Sequence, residues 1–462
     1  MSTAGERTTP DAGPARRSVL LVAYFYPPCR DTGAQRPTSM ARHLAAAGHD
    51  VTVLTTSAYG NDAAGSANLA DSQAPANQTA SGDGALPEPG RITVSRTFDL
   101  QRVRARLRGH SRIDSMFDSD RYSGRPHPLS HVLVPEPLVA AWAPFALRRA
   151  RELAKVKLDC VITTSPPESA HLIGRSLARR GVPWVADIRD GWSFEPLRPK
   201  FPTSAQRRLD SRLERKWLGA ADVVSCVSRP VADDLRDRGI ADPVVVPNGW
   251  DPESDQPSAP KSEAGAPIEA PKLDAERVSL VYTGRFGSYG RDPSSLVDAL
   301  AGLAADDPAV AERLELAVAG PLTEAEQQLF STDVSPARIS LLGSLERPAA
   351  LALQRSADAL LVLASPKRSQ LANLKLYEYL VAGPPILGLA AGTEAGRITA
   401  EAGGTVIASD DVPAIRSALR TLVLDGLPAS NAEDRARYAY PAVADQMGEA
   451  VELAIERRAR GV

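Results

Sequence analysis

The sequence predicts an α/β protein made of two doubly wound domains that face a central cleft. Two series of short apolar runs alternate with amphipathic stretches, one series on each side of a proline-rich segment. This alternation is typical of parallel sheets covered by helices on both faces. A chain of 462 residues is also longer than one ordinary domain, and each half can bury its own core. Ligands of such sheets bind outside the carboxyl ends of the strands, so we expect the functional site in the cleft.

The first series begins with an apolar run over 18–26, which predicts a strand. The run superficially resembles a secretion signal, but no small-residue cleavage site follows, and Pro27 and Pro28 end it at once. A helix over 35–47 and a strand over 51–55 complete a βαβ unit with the right-handed crossover of a parallel sheet. Further strands are predicted at 159–164, 183–188, 222–227 and 244–246, with helices between them.

A segment over 251–276 separates the two series. It holds five prolines and little that can pack, which predicts an interdomain linker. The second series then has strands at 278–283, 314–319, 339–342 and 357–364, with helices at 293–303 and 349–356.

These patterns divide the chain into five parts. We expect a disordered tail over 1–17, a first domain over 18–250, the linker over 251–276, a second domain over 277–438, and a C-terminal helix over 439–462 that packs back on the first domain. Within the first domain, residues 57–90 contain no lysine or arginine and a single aromatic residue, so they predict a disordered surface insertion.

Composition excludes several classes of protein. The formal net charge of -2 argues against general nucleic-acid binding. The three cysteines, Cys29, Cys160 and Cys226, are too few and too scattered for a disulfide framework or a zinc site, and they fit a reducing cytoplasm. No stretch reaches the ~18 apolar residues that span a bilayer. We therefore expect a cytoplasmic protein, bound at most to the inner face of the membrane.

A basic run over 101–113 bears on the acceptor and on the membrane. It holds five arginines and no acidic residue. Three interpretations stay open: contact with anionic lipid headgroups, binding of an acidic acceptor, and a solvated loop. The arginines are Arg102, Arg104, Arg106, Arg108 and Arg112.

The strongest functional signal lies over 371–387, which predicts a helix, a glycine stop and a buried strand. The helix carries one inward carboxylate, Glu378, and its N-terminus follows a loop at the end of the strand over 357–364. Helix N-termini at strand ends offer unpaired N–H groups to phosphates, so this segment predicts a nucleotide site. A solvated helix face is the alternative for Lys375 and Glu378.

Several segments, in their order and spacing, resemble the retaining GT-B glycosyltransferases of family 4. In the first half these include VITTSPPESAHLIGRSLARRGVPWVADIRDGW and VVPNGWDP, and in the second half LVYTGRF and KLYEYLVAGPPIL. The likeness covers nearly the whole chain apart from the insertion and the linker. It implies the GT-B fold and transfer of a sugar from a nucleoside-diphosphate sugar to an acceptor, with retention of the anomeric configuration.

The resemblance also implies how the reaction runs. No paired carboxylates flank an evident sugar site, which favours a front-face route in which the departing phosphate helps to deprotonate the acceptor. No Asp-x-Asp motif lies near a predicted strand end, so we expect no metal ion, and no cofactor beyond the donor substrate. The acceptor is expected to be a small molecule, a saccharide or a lipid-linked group.

The resemblance assigns the donor site residue by residue. It implies that the loop containing Gly33 faces the diphosphate, that Arg285 binds the diphosphate, and that Glu378 binds the ribose hydroxyls. A plain tight turn is the alternative for Gly33. The donor-binding candidates are Gly33, Arg285, Arg291, Gln370, Asn373, Leu374, Lys375 and Glu378.

Two of these positions depart from the family. Many relatives carry a lysine near Arg291, and here Arg291 is either a substitute, an ion-pair partner of Asp292, or the neighbour of a helix cap made by Asp292. Gln370 stands where the family usually has a glutamate that touches the donor sugar. An amide accepts hydrogen bonds but carries no charge, so the identity of the sugar stays open.

A third departure concerns the reacting centre. Many relatives place a histidine at the strand end that here reads Asp187 to Trp192, and a subgroup has this RD-aromatic pattern instead. Arg189 and Asp190 are therefore the catalytic candidates, Arg189 for the leaving diphosphate and Asp190 for the acceptor hydroxyl. A salt bridge that pins the loop is the alternative.

Two other function classes stay open. The same pair of sheets serves sugar-nucleotide epimerases, which act without an acceptor. The departures at Gln370 and Arg189 are also compatible with a non-catalytic, nucleotide-sugar-binding partner of another transferase.

Overall fold

Two parallel sheets, each flanked by helices, make up the described part of the chain. The computed structural model describes residues 16–29, 32–59, 90–101, 132–194, 200–251, 271–287, 290–370, 372 and 374–461. Residues 1–15 of the expected tail and most of the insertion and of the linker lie outside these residues. Asn373 and the arginines Arg102, Arg104, Arg106, Arg108 and Arg112 also lie outside them.

The first sheet contains seven described strands in the order β3-β2-β1-β4-β5-β6-β7, and all neighbours pair in parallel. They are β1 Ser18–Ala23, β2 Asp50–Thr56, β3 Ile92–Thr97, β4 Cys160–Ser165, β5 Trp184–Ile188, β6 Val223–Cys226 and β7 Val244–Val245. The helices around it are α1 Gln35–Ala46, α2 Leu138–Ala141, α3 Ala143–Leu153, α4 Ala170–Ala178, α5 Ser204–Leu218 and α6 Arg229–Asp237. The strand order reverses between β1 and β4, which makes this the switch point where ligands of such sheets bind.

The second sheet repeats this order with six described strands, β10-β9-β8-β11-β12-β13, again all parallel. They are β8 Val278–Thr283, β9 Leu314–Ala319, β10 Arg338–Gly343, β11 Ala359–Leu363, β12 Ile386–Leu389 and β13 Thr405–Ile407. Its helices are α7 Ser294–Asp306, α8 Pro308–Glu312, α9 Glu324–Phe330, α10 Arg347–Ser356, α11 Leu374–Ala382, α12 Glu394–Glu401, α13 Val412–Leu424 and α14 Ala432–Ala436. The two matching strand orders confirm the predicted pair of doubly wound domains.

Strand β1 shows why these apolar runs are strands covered on both faces. Val19 and Leu21 pack into one core cluster, and Leu20 and Val22 pack into another on the opposite side of the sheet. Side chains alternate across a strand, so a continuous apolar run is needed where helices cover both faces. Strand β3, which the sequence analysis missed, lacks this signal because it is an edge strand with several half-exposed positions.

The chain crosses between the domains near Trp250 and returns near Tyr438. The two crossings are hydrogen-bonded to each other, from Trp250 N to Tyr438 O at 2.9 Å and from Tyr440 N to Trp250 O at 2.9 Å. The returning chain continues into α15, Tyr440–Arg460, whose apolar side chains belong to the core of the first domain. No helix among the described residues is long and apolar enough to cross a membrane.

Candidate functional site

A cavity of about 230 Å³ lies between the domains, and we call it the cleft cavity. Helix α1 of the first domain and helix α11 of the second domain face each other across it. The facing residues on each helix are spaced three or four apart, so each helix presents one face. The main lining residues are Gln35, Thr38, Ser39 and Arg42 on α1, Leu374, Tyr377 and Glu378 on α11, Arg347 on α10, and Gly249, Trp250, Asp251 and Tyr440 at the crossings.

Glu378 is a buried carboxylate at this cavity, with 7% of its surface exposed. Lys375 Nζ donates to its Oε2 at 2.8 Å, and Arg347 Nη2 lies 3.5 Å from its Oε1. The carboxylate therefore has a cation on each side, one from its own helix and one from α10. Its burial excludes the solvated helix face for Glu378, while its contact with a ribose stays a prediction.

Two side chains connect Glu378 to the end of β8. Gln354 Nε2 donates to Thr283 Oγ1 at 2.9 Å and lies 3.5 Å from Glu378 Oε2. The Tyr379 hydroxyl accepts a hydrogen bond from Thr283 N at 2.7 Å. Because Arg285 follows Thr283 by two residues, these bonds place Glu378 and Arg285 at the same edge of the second sheet. Gln354, which is fully buried, was not predicted as a site residue; its signal in the sequence is an amide among the apolar residues of α10.

Arg285 is exposed, and its side chain makes none of the hydrogen bonds or ion pairs found among the described residues. Arg291 Nη1 donates to the backbone oxygen of Arg285 at 2.8 Å, which holds the loop after β8. Asp292 accepts from Ser294 N at 2.9 Å and from the Ser294 hydroxyl in the turn before α7, whose N-cap residue is Pro293 and has no side-chain cap bond. The hydrogen bonds from Ser294 lower the pKa of Asp292.

Arg189 is buried and donates to three backbone carbonyl oxygens. Its Nε donates to Ser165 O at 2.8 Å, its Nη2 to Pro166 O at 3.0 Å, and its Nη1 to Gly33 O. These bonds tie the loop after β1 to the end of β4, and Gly33 itself lies in a short 3-10 helix before α1. A positioning role for Arg189 follows from these bonds, whereas its contact with a leaving diphosphate stays a prediction.

Asp190 lies on a loop that is anchored to α5. Trp192 Nε1 donates to Asp210 Oδ1 at 2.9 Å, and Ser193 N donates to Glu214 Oε1 at 3.2 Å. Burial raises the pKa of Glu214. Asp190 is half-buried and takes part in none of the hydrogen bonds or ion pairs found among the described residues. Asp190 is therefore a carboxylate on an anchored loop at the end of β5, and none of the described residues is bonded to it.

A buried ion pair that the sequence analysis missed fixes α1 against the first sheet. Arg36 donates from Nη2 to Asp187 Oδ1 at 2.9 Å and from Nε to Oδ2 at 3.1 Å. Arg36 Nη1 also donates to Pro247 O at 2.6 Å. Burial alone raises the pKa of Asp187, but the charge and the bonds of Arg36 outweigh it and lower the pKa. The signal in the sequence was an aspartate inside the apolar run PWVADI.

The remaining donor-binding candidates are placed as follows. Gln370 is buried, and its amide nitrogen has no partner among the described residues. Leu374 is half-buried and lines the cleft cavity. Among the described residues, no group of three or more histidine, cysteine, aspartate or glutamate side chains is arranged to hold a metal ion.

Comparison with known proteins identifies one family model and several solved structures that are similar to this chain. Residues 32–249 match the family model described as glycosyl transferase 4-like domain. The structure is similar to sucrose-phosphate synthase from Thermosynechococcus elongatus, at 18% identity and a TM-score of 0.55 over 94% of this chain and 98% of that chain. It is also similar to the N-terminal domain of trehalose-6-phosphate phosphatase from Candida albicans, at 11% identity and a TM-score of 0.52 over 100% and 97% of the two chains.

A third similar structure is α,α-trehalose 6-phosphate synthase from Burkholderia multivorans, at 15% identity and a TM-score of 0.50 over 96% and 97% of the two chains. No curated protein sequence matches the chain. At these identities the structures show a shared fold. The family match over residues 32–249 and the shared fold confirm the resemblance to GT-B glycosyltransferases of family 4.

Proposed function

We propose that this chain, a GT-B protein with a glycosyl transferase 4-like domain, moves a sugar from a nucleoside-diphosphate sugar to an acceptor. The proposal includes retention of the anomeric configuration and no need for a metal ion. The acceptor belongs to one of three classes: a small molecule, a saccharide or a lipid-linked group.

One observation carries the proposal: a buried carboxylate, Glu378, lines the cleft cavity beside the strand end that bears Arg285. A carboxylate that accepts two hydroxyl hydrogen bonds is a suitable clamp for a ribose. A guanidinium two residues beyond the end of β8 suits a diphosphate, since its fork of donors matches phosphate oxygens. The N-terminus of α11 adds backbone N–H groups on the same side.

The reaction then follows the front-face route. The bond between the anomeric carbon and the diphosphate oxygen breaks, the acceptor oxygen bonds to the same face of that carbon, and the acceptor proton passes to the departing diphosphate. Asp190 orients the acceptor hydroxyl. This role is supported by its half-buried carboxylate, which is bonded to none of the described residues. Arg189 keeps the Gly33 loop in place for the donor, as its bond to Gly33 O supports.

Exposed apolar residues on the surface of the first domain bear on the class of acceptor. Phe98 and Leu100 are 45% and 48% exposed, and they immediately precede the basic run that begins at Arg102. Exposed apolar side chains that precede a basic run in the sequence favour an acidic or lipid-linked acceptor met at a membrane surface. We therefore propose that the protein acts at the inner face of the cytoplasmic membrane.

Incubation with a panel of nucleotide sugars, with and without candidate acceptors, tests the proposed reaction. Release of free nucleoside diphosphate that depends on the acceptor supports transfer. A changed sugar on the nucleotide would instead identify an epimerase, and binding without either outcome would identify a non-catalytic partner. The anomeric configuration of the product, read by NMR, tests retention.

A further inference from the structure

Helix α5 carries its negative and positive charges on opposite faces. Its sequence, SAQRRLDSRLERKWL, holds four arginines, one lysine and two acidic residues. Both acidic residues are buried and face the protein, where Asp210 accepts from Trp192 Nε1 and Glu214 accepts from Ser193 N. The charged residues on the outer face of α5 are therefore all cations.

Four of these cations form one stripe along the helix. They recur at spacings of three and four, which places them on the same face. All four are exposed, and none takes part in the ion pairs or hydrogen bonds found among the described residues. Like charges at these spacings repel each other, so an anionic surface would stabilise the stripe. The four are Arg208, Arg212, Arg215 and Lys216.

The neighbouring helix α4 extends this cationic surface. It packs against α5 on the same face of the first sheet, and its sequence, AHLIGRSLA, contains no acidic residue. Arg179 and Arg180 follow its last turn, are exposed, and make no ion pair within the described ranges. Both helices run back towards the amino ends of the strands, so their last turns lie at the same edge of the sheet. We call this surface the basic face; it consists of Arg179, Arg180, Arg208, Arg212, Arg215 and Lys216.

The opposite face of the first domain has a different charge pattern. Helix α15 covers it and exposes the carboxylates of Asp445 and Glu449. Two arginines near the end of α15 are paired, Arg458 with Asp222 at 2.8 Å and Arg460 with the glutamate four residues before it. A flat anionic surface would therefore attract the first domain in one orientation, with the basic face towards it.

Apolar side chains around the basic face indicate which anionic surface it fits. Leu209, beside the stripe on α5, is 46% exposed. At the edge of the same helical layer, the exposed Phe98 packs against Phe145 of α3, with ring centroids 5.0 Å apart. Exposed apolar side chains next to cations are typical of contact with the headgroup region of a bilayer. Contacts to a nucleic-acid backbone use cations and polar donors, to which an exposed leucine adds nothing.

We propose that the basic face docks on a bilayer that is rich in anionic phospholipid headgroups. This inference rests on the part of the proposed function that places the protein at a membrane, and it assigns the contact to α4 and α5 rather than to the run over 101–113. Because α5 is bonded to the loop that carries Asp190, docking brings the loop assigned to the acceptor next to the bilayer. A lipid-linked acceptor requires this arrangement.

Co-sedimentation of the full chain with lipid vesicles tests the inference. We expect the wild type to bind vesicles made of equal parts phosphatidylglycerol and phosphatidylcholine, and not vesicles of phosphatidylcholine alone. Each cation near an anionic surface strengthens binding about fivefold. Replacement of two of them, Arg208→Gln with Arg212→Gln, should therefore lower the partition coefficient by about 10-fold to 30-fold. Added salt should weaken wild-type binding for the same reason.

The matched control removes two arginines at the same spacing from the second domain. Arg416 and Arg420 lie on α13, where they pair with Asp306 and Asp307. Replacement of both by glutamine changes the net charge of the protein by the same amount, but we expect wild-type binding to the anionic vesicles. Thermal unfolding without lipid verifies the fold of both double variants, whose changes are confined to exposed or half-exposed side chains.

Wild-type partition in the Arg208→Gln and Arg212→Gln double variant would overturn the inference, and so would equal losses in the two double variants. Absence of binding by the wild type, or equal binding to both kinds of vesicle, would also overturn it. A duplex DNA that binds the wild type but not the α5 variant, without any vesicle binding, would assign the basic face to nucleic acid instead.

These outcomes are distinct from failure of the proposed reaction. Acceptor-dependent release of nucleoside diphosphate by a protein that binds no vesicles would overturn the docking alone. Vesicle binding through the basic face by a protein that leaves every nucleotide sugar unchanged would overturn the reaction and support the docking.

Discussion

Replacement of Glu378 removes the carboxylate on which the proposed donor site depends. Glu378→Gln keeps the size of the side chain and one carbonyl oxygen but removes the charge, whereas Glu378→Ala removes both oxygens. The two cations beside it, Lys375 and Arg347, have side chains that are 36% and 40% exposed, so water can solvate them in either variant. We therefore expect each variant to keep the fold, at a cost below about 1 kcal/mol for the lost ion pairs.

The expected loss of donor affinity follows from the burial of the carboxylate. Hydrogen bonds to a charged group contribute about 1.5 to 3 kcal/mol each, and a ribose offers two hydroxyls. Lys375 and Arg347 already share the oxygens of Glu378, which favours the lower end of that range. Two such bonds then amount to about 3 kcal/mol, or about 100-fold in the dissociation constant for Glu378→Ala. Glu378→Gln keeps one acceptor and should lose about 10-fold.

Isothermal titration with a nucleoside diphosphate measures this loss, and thermal unfolding in the absence of ligand verifies the fold. Glu315→Gln is the matched control in the same domain. Glu315 is 4% exposed and accepts hydrogen bonds from Ser340 and from Asp274 N, but it lies near the amino end of β9, at the opposite edge of the sheet. We expect its nucleotide affinity to equal that of the wild type.

The assignment of Glu378 to the donor site is refuted if the dissociation constant of Glu378→Ala for the diphosphate is within twofold of the wild-type value while its thermal midpoint is retained. Equal losses in Glu378→Gln and Glu315→Gln would also contradict it, because the effect would then come from the fold rather than from the site.

Three further changes test the first domain. Asp190→Asn should lower kcat with little change in the dissociation constant for the diphosphate, because the carboxylate is assigned to the acceptor; an unchanged kcat in a steady-state assay would remove Asp190 from the site. Asp187→Asn leaves Arg36 buried without its charge partner and should destabilise the protein by about 3 to 5 kcal/mol in urea unfolding; a loss below 1 kcal/mol would contradict the structural role of the pair. Burial lowers the pKa of His171 to about 4 in the folded protein. As the pH falls below about 6.5, the unfolded chain therefore binds a proton that the folded protein does not bind. The free energy of unfolding should then decrease by about 1.4 kcal/mol per pH unit down to pH 4. His171→Gln should remove this component of the pH dependence measured by urea unfolding, and an identical pH profile in both proteins would disprove the assignment.

Much of the fold could be predicted because burial leaves a local pattern in the sequence. The apolar runs of β1, β4, β5, β8 and β11 are continuous, since helices cover both faces of each sheet. The edge strand β3 and the short strand β13, Thr405–Ile407, were missed, because half-exposed residues leave no such run. Glu378 could be found for the same local reason: it is a single carboxylate in an otherwise apolar helical stretch.

The sequence by itself therefore determined the two domains, their parallel sheets and the helix that carries Glu378. Only the tertiary structure decided which side chains meet at the strand ends. It brought Arg189 to the carbonyl oxygen of Gly33, 156 residues earlier in the chain, and Arg36 to Asp187, 151 residues later. It also placed α1 opposite α11 with Tyr440 between the domains. Periodicity records whether a residue is buried, but the partner of a buried polar group depends on the order of strands in the sheet and on the relative position of the domains.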